Sequence, residues 1–183
     1  MRIISGKHKG RRITAPKKLP IRPTTDMAKE SLFNILNNLY YFDDISVLDL
    51  FSGSGNISYE FASRGTERIT SVDANFGCIK FINETAEDFE MSIQTIKSDV
   101  FKFLEKATSK STIIFADPPY DYPVEKFAKI PELVFQNHGS GSWFRFRKRS
   151  RPYLARKPRK AKWTRSLLDA STRRSVLFRR RRT

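Results

Sequence analysis

Cysteine is nearly absent from this 183-residue chain, since Cys78 is the only one. A single cysteine excludes a disulfide framework and a metal site built from several thiolates. No apolar run is long enough to span a bilayer, and the amino terminus lacks the apolar stretch of a signal peptide. We therefore expect a cytoplasmic protein with one hydrophobic core and no membrane segment or metal site.

Acidic residues are also scarce in the last 45 residues. After His138 the chain carries 13 Arg and four Lys against one acid, Asp169, which accounts for the whole net charge of +16. The first 138 residues hold 18 basic and 18 acidic residues. The sequence thus predicts a globular domain over residues 1–138 and a basic tail over residues 139–183.

The first 42 residues predict a β-hairpin followed by one helix. Arg2–Ser5 and Arg11–Thr14 flank a glycine-bounded turn. Three prolines then keep the chain extended, and Thr24 or Thr25 can cap the helix. Apolar residues at steps of three and four predict the buried face of that helix: Met27, Leu32, Ile35, Leu36 and Leu39.

From residue 43 to 138, short apolar runs alternate with amphipathic segments. This order predicts an α/β fold with a parallel, Rossmann-like sheet, whose ligands bind at the carboxyl ends of the strands. A last helix starts near Val124, and Pro131 is expected to end or kink it before Phe135. The predicted strands are Val47–Phe51, Arg68–Asp73, Ile93–Lys97 and Thr112–Ala116.

A glycine-rich turn, FSGSGN, follows the first strand and includes Phe51, Gly53 and Gly55. It lacks the lysine of a phosphate-binding loop, and Ser58 stands where the dinucleotide fingerprint has its third glycine. Pyrophosphate is therefore a poor ligand for it, and a plain strand-to-helix turn is the alternative. Asp49, near the end of the strand, favours a ligand with a cationic group.

Two further acids follow the next two strands. Asp73 ends the second strand, where a carboxylate can accept both hydroxyls of a ribose. The alternative is that Asp73 caps the following helix, and Asp99 after the third strand is equally ambiguous. Acids at three successive strand ends indicate a ligand site more strongly than any one of them.

The motif after the fourth strand is Asp117, Pro118, Pro119 and Tyr120. The two prolines make a rigid turn and supply no amide donor, so a carboxylate, free carbonyls and an aromatic face remain. This set suits a planar base with an exocyclic amine, whose two N–H groups the Asp117 side chain and the Pro118 carbonyl could accept. The alternative is a proline-stiffened loop that packs Tyr120 into the core.

Together with the segments RIISGKHKGRRI and RPTTDMAKESLFNIL, these motifs make residues 1–135 resemble the RsmD family. That family methylates the exocyclic N2 of one guanine in 16S ribosomal RNA, with S-adenosyl-L-methionine as donor. The resemblance implies that cofactor-binding residues are Asp49, Phe51, Gly53, Gly55, Asp73 and, beside the adenine, Asp99.

The resemblance also implies that Asp117–Tyr120 holds the target guanine and that the partner is 16S ribosomal RNA or the assembling small subunit. The protein is expected to be a monomer. Basic residues of the hairpin and of the segment before the first helix would contact the RNA: Lys7, Lys9, Arg11, Arg12 and Arg22. Alternatives are an amino-methyltransferase for another RNA or DNA base, and a non-catalytic protein that binds RNA through its basic tail.

The resemblance stops after about Phe135. The family continues with a fifth strand and an antiparallel pair, whereas this sequence shows no apolar strand and is rich in arginine. We expect the last strands of the sheet to be missing or replaced. Residues 139–183 are either a lineage-specific tail that contacts phosphates or the product of a reading-frame shift near His138. We favour the second, because the missing strands are integral to the sheet.

Overall fold

The computed structural model describes residues 1–20, 25–108, 110–119, 122–137, 143–147, 163–166 and 175–180. The helices in this part of the chain are α1 (Asp26–Asn37), α2 (Asn56–Ser63), α3 (Phe76–Asp88), α4 (Val100–Lys106) and α5 (Val124–Asn137). The strands are β1 (Ser46–Leu50), β2 (Arg68–Asp73), β3 (Ile93–Lys97), β4 (Ile113–Ala116), β5 (Trp143–Arg147), β6 (Trp163–Ser166) and β7 (Ser175–Arg180). No helix in this part is long and apolar enough to cross a membrane.

The strands form one sheet in the order β3-β2-β1-β4-β5-β7-β6. Strands β1 to β5 are parallel, which confirms the predicted α/β fold with a parallel Rossmann-like sheet. Successive residues of β4 contribute to two different apolar clusters: Ile113 and Phe115 to one, Ile114 and Ala116 to the other. Because successive side chains of a strand point to opposite faces, the sheet is covered on both sides.

Strands are present after His138, where the sequence predicts them to be missing or replaced. Trp143 of β5 pairs with Ile113 of β4, and β7 pairs antiparallel with both β5 and β6. Of the two expected outcomes, missing or replaced, the structure shows the second, since arginine-rich strands occupy these places in the sheet. Their aromatic and β-branched residues favour extended backbone, and ladder pairing uses backbone groups that arginine also supplies. The domain boundary at residue 138 stays a prediction.

The predicted hairpin and helix cap are confirmed at the amino terminus. Ile3 N–H donates to the Arg11 carbonyl at 3.0 Å, and Ile13 N–H donates to the Met1 carbonyl at 2.9 Å. Thr25 is the cap of α1, and its hydroxyl accepts the Ala28 N–H at 3.3 Å.

The buried face of α1 differs from the prediction. Met27 and Leu39 are exposed, at 75% and 47% of their surface. The residues that α1 buries are Lys29, Leu32, Phe33 and Leu36. These four buried residues recur at steps of three and four, so they lie on one face of the helix, and one of them, Lys29, is charged.

Helix α5 continues through Pro131 to Asn137, so of the two expected effects of this proline, an end before Phe135 is wrong, and a kink stays a prediction. Ile130 and Val134, on either side of the proline, are fully buried in the core. The Asn137 side chain donates to the Leu104 carbonyl at 2.6 Å and holds the last turn on α4. Tertiary packing therefore outweighs the missing amide of one proline.

Candidate active site

The sheet register brings the ends of three strands to one level. Leu50 of β1 pairs with Val72 of β2 and with Ala116 of β4. The residues that follow, Phe51, Asp73 and Asp117, therefore leave the carboxyl edge of the sheet side by side. This edge is where parallel sheets bind their ligands.

The turn after β1 is compact and uses left-handed backbone at three residues. Phe51, Gly53 and Gly55 have φ of 57°, 55° and 77°. The Gly55 N–H donates to the Ser52 carbonyl at 2.8 Å. A Cβ atom at Gly55 would lie 2.8 Å from the Tyr59 ring, so only glycine fits there. Positive φ is rare for a bulky residue such as Phe51 and often marks a functional site.

Asp73 links this turn to the start of α3. Its Oδ2 accepts the Gly53 N–H and its Oδ1 accepts the Asn75 N–H, both at 2.8 Å. The cap of α3 is Asn75, whose side chain accepts the Cys78 N–H, so the alternative of Asp73 as the cap is wrong. Each carboxylate oxygen keeps a lone pair, which leaves Asp73 able to accept a pair of hydroxyls.

Asp49 is buried inside β1, with 2% of its surface exposed. The Ser58 hydroxyl donates to its Oδ2 at 2.6 Å, and the Ser71 hydroxyl lies 2.7 Å from that of Ser58. Burial raises the pKa of Asp49 to about 7; the Ser58 hydrogen bond opposes this rise, and the Asp73 and Asp117 carboxylates add to it. No described residue forms a salt bridge with Asp49. This part of the site is therefore acidic.

The motif after β4 forms a turn at the same edge. Asp117 is half-buried, Pro118 is buried and Pro119 is exposed. The Pro119 carbonyl accepts the Tyr122 N–H at 3.1 Å and closes the turn. Tyr120 lies outside the described residues.

An aromatic cluster that the sequence did not predict stands beside this turn. Tyr122 stacks on Phe101, with ring centroids 6.1 Å apart, and meets Phe51 edge-on at 5.2 Å. Asp99 caps α4 by accepting the Lys102 N–H at 3.1 Å. Burial and the nearby Asp99 raise the pKa of Tyr122 to about 12. A groove of about 530 Å³ between α4 and α5 reaches Asp99 and Phe101.

The four basic residues predicted on the hairpin are all exposed: Lys7, Lys9, Arg11 and Arg12. Lys7 Nζ lies 3.8 Å from Glu90 Oε2, and the Arg11 guanidinium lies 5.7 Å from the centre of the Phe89 ring. Both contacts are at the surface. Arg22 lies outside the described residues.

A buried ion pair behind the glycine turn was also not predicted. Lys29 and Glu60 are 1% and 0% exposed, and Lys29 Nζ lies 3.3 Å from Glu60 Oε2. Burial lowers the pKa of Lys29, and Glu60 opposes that shift. The available signal was a lysine in the apolar stripe of α1, three residues before Leu32.

The edge fits a nucleoside that carries a cationic group. Its turn requires glycine, three acids lie at or near it, and the buried Ser52 hydroxyl has no hydrogen-bond partner within the described residues. Within those residues no cluster of histidine, cysteine or acidic side chains could hold a metal. With the strand order, these features define the Rossmann-like methyltransferase fold.

The family described as Conserved hypothetical protein 95 matches residues 1–138. The chain therefore belongs to this family, which is the RsmD family. The Bacillus subtilis protein YlbH is 40% identical over 125 residues, which are 66% of this chain and 67% of that protein. The Escherichia coli ribosomal RNA small subunit methyltransferase D is 31% identical over 66% of this chain and 60% of that protein. The match thus spans three fifths to two thirds of these relatives.

Solved structures share the fold. The Escherichia coli protein yhhF superimposes with a TM-score of 0.81 at 25% identity and covers 98% of this chain and 97% of its own. A methylase from Haemophilus influenzae superimposes with a TM-score of 0.72 at 22% identity, over 98% of this chain and 97% of its own.

Proposed function

We propose that this protein transfers a methyl group from S-adenosyl-L-methionine to the exocyclic N2 of a guanine in 16S ribosomal RNA. The observation that carries the proposal is the register that sets the glycine turn, Asp73 and Asp117-Pro118-Pro119 side by side. The relative in Escherichia coli, named ribosomal RNA small subunit methyltransferase D, supports ribosomal RNA as the substrate class. Its partner would be 16S ribosomal RNA or the small subunit during assembly. The protein would act as a monomer in the cytoplasm.

The cofactor would lie across the ends of β1, β2 and β3. Asp73 would accept the ribose hydroxyls, Asp99 would lie beside the adenine, and Gly53 and Gly55 would let the backbone approach closely. Asp49, inside β1, would favour the positive charge on the sulfur of the cofactor. When bound, S-adenosyl-L-methionine supplies an electrophilic methyl group on a cationic sulfur, which becomes a neutral thioether after transfer.

The target amine would be held by acceptors alone. The Asp117 carboxylate and the Pro118 carbonyl would take its two N–H bonds, while Tyr120 stacks on the base. Acceptors on both N–H groups favour a pyramidal nitrogen and aim its lone pair at the methyl carbon. The proton becomes acidic only after attack, so no strong base is required. Alignment of donor and acceptor would supply most of the rate enhancement.

RNA would approach over the hairpin. The basic residues that would contact phosphates are Lys7, Lys9, Arg11, Arg12 and Arg22. Because the target base must leave its stack to reach Asp117, the substrate region is a loop or an open assembly intermediate.

The product nucleoside tests this proposal. The full chain is incubated with S-adenosyl-L-methionine and unmodified 16S ribosomal RNA or small subunits, and the digested nucleosides are identified by mass spectrometry. We expect N2-methylguanosine, and we expect Asp117→Asn to lower its formation by about 100-fold through loss of a charged acceptor. The exposed Asp88, at the end of α3, provides the matched control Asp88→Asn.

Other products separate the alternatives. Methylated adenosine or cytidine would contradict the guanine assignment and leave the class of chemistry intact. No cofactor binding by the full chain, together with RNA binding that is lost when residues 139–183 are deleted, would favour the non-catalytic RNA-binding alternative.

A further inference from the structure

The buried Lys29–Glu60 pair joins three parts of the chain. Lys29 Nζ donates to the Arg2 carbonyl at 2.5 Å and to Asn56 Oδ1 at 2.9 Å, and it contacts Glu60 Oε2 at 3.3 Å. An ammonium group has three N–H bonds, so these three contacts use all of them. They lie respectively in the hairpin, at the first residue of α2 and within α2.

Glu60 holds the hairpin by its backbone. Its Oε2 accepts the Ile4 N–H at 2.8 Å, and its Oε1 accepts the Ser5 N–H at 3.1 Å. Arg64 Nε donates to the same Oε1 at 2.9 Å. One buried carboxylate therefore accepts two consecutive backbone N–H groups of the first arm, beside the packing of Ile3 in the apolar cluster that contains Tyr59.

The tip of the hairpin also sits closely on α2. A Cβ atom at Gly6, where φ is +85°, would lie 1.7 Å from the Ser63 carbonyl oxygen. Lys7 N–H donates to that carbonyl at 2.7 Å, and His8 N–H donates to the Ser63 hydroxyl at 3.0 Å. The tip of the hairpin, which carries the exposed Lys7, is thus fixed to the carboxyl end of α2.

The other end of α2 is the candidate cofactor turn. Asn56, which receives a Lys29 N–H, follows Gly55 directly and begins the helix. A buried charge that loses a partner carries a large desolvation cost. Any shift of the hairpin against the turn would therefore break hydrogen bonds to buried charges.

We propose that Lys29 and Glu60 are positioning residues that hold the basic hairpin and the glycine turn as one rigid unit. The inference rests on the proposed function, because it gives the turn to the cofactor and the hairpin to RNA. Ligand binding at the turn would then reduce opening of the hairpin. Methyl transfer needs such rigidity, since a misplacement of about 1 Å can reduce a rate about 100-fold.

Hydrogen exchange measures this coupling without an activity assay. The full chain is compared with and without saturating S-adenosylhomocysteine, and exchange is followed in peptides covering residues 2–12. We expect the ligand to slow exchange at Ile4 and Ser5 at least fivefold in the wild type. In Lys29→Met/Glu60→Gln, which removes both charges together, the ligand should still bind within threefold while the slowing is lost.

An exposed pair provides the matched control. Lys80 and Glu84 form a surface pair on α3, with Nζ 3.6 Å from Oε1, and Lys80→Met/Glu84→Gln makes the same chemical change there. This variant should keep the slowing. If the buried double variant does not fold, Asn56→Ala removes only the link between Lys29 and the turn, and it should reduce the slowing to less than twofold.

The outcomes separate two failures. A wild type that does not bind S-adenosylhomocysteine contradicts the proposed function. A wild type that binds it without slowing hairpin exchange, or a folded double variant with unchanged slowing, overturns the positioning role alone. In methyl transfer, the double variant should lose about 10- to 100-fold in kcat with little change in KM for RNA, whereas a general loss of structure would affect both.

Discussion

Strands β1 to β4 and strands β5 to β7 belong to one sheet but differ in composition. Leu48, Leu50, Ile114 and Ala116 of the first group are fully buried, and an apolar cluster covers each face. The second group carries arginine within every strand, as in WFRFR, WTRS and SVLFRR. One sheet thus contains apolar strands at β1 to β4 and arginine-rich strands at β5 to β7.

This difference separates pairing from stability. Strand pairing uses backbone groups, which every residue except proline supplies in full. Stability comes from apolar area removed from water, and arginine is seldom fully buried. We therefore expect β1 to β4 to carry the core and the site, and β5 to β7 to contribute mainly by covering the edge of β4.

The largest expected effect comes from removing the covering strands. In a chain that ends at Asn137, the edge of β4 that pairs with β5 becomes unpaired. This edge strand is apolar, because Ile113, Ile114 and Phe115 belong to the buried core. We expect its Tm to fall by about 15 °C, or the chain to aggregate, because an exposed apolar edge strand pairs with other chains. Calorimetry and light scattering measure both. An unchanged Tm would show that residues 1–137 fold alone and that the later strands are dispensable.

The next effect concerns the buried acid of the core. Because burial raises the pKa of Asp49 to about 7, the folded state holds a proton that the unfolded state releases near pH 4. The free energy of unfolding should therefore fall as pH rises from about 4 to 7, and then level off. Asp49→Asn should remove this slope and stabilise the apoprotein at pH 8 by up to about 4 kcal/mol. Denaturant titrations at pH 5 and 8 check this, and equal slopes in both proteins would contradict it.

A smaller effect is expected at the aromatic cluster. Tyr122→Leu removes the ring that stacks on Phe101, whereas Tyr122→Phe keeps it. We expect the leucine variant to bind S-adenosylhomocysteine about fivefold more weakly and the phenylalanine variant to match the wild type, since one aromatic contact contributes ~1 kcal/mol. Calorimetric Kd values measure this. Equal weakening in both variants would assign the effect to the hydroxyl.

The smallest effect compares the two basic regions. Lys7→Gln/Lys9→Gln should lower methyl transfer and the salt dependence of RNA binding, while Arg181→Gln/Arg182→Gln should lower only the salt dependence. Each lost phosphate contact reduces the slope of log K against log salt by about 0.7 to 0.9. Filter binding between about 50 and 200 mM salt gives the slopes. Equal loss of methyl transfer in both variants would contradict the assignment.

The sequence predicted the sheet well because its strands have simple patterns. Arg68–Asp73 and Ile93–Lys97 match the observed strands at both ends. The apolar runs stand between clear turn signals, and strand order then follows from crossover rules. Strands β5 to β7 were missed because they lack the continuous apolar run of a buried parallel strand and carry arginine within each segment.

The site was predictable only where a residue type is unusual for its place. Acids at strand ends and two prolines in succession stand out in a sequence. Lys29 and Glu60 do not, because each is an ordinary residue of a polar helix until the partner on another helix is known. Tyr122 was missed for a similar reason, since its role depends on Phe51 and Phe101 reaching the same place.

The central claim is that the carboxyl edge of β1 and β2 holds S-adenosyl-L-methionine. The most direct measurement is calorimetric titration of the purified full chain, with Asp73→Ala as the test variant and Asp44→Ala, which lies before β1 at the opposite edge, as the control. We expect saturable binding in the wild type and the control, and at least a 100-fold loss in Asp73→Ala, because a charged acceptor for two hydroxyls is removed. Unchanged binding in Asp73→Ala, or no binding by a folded wild-type chain, would contradict the account.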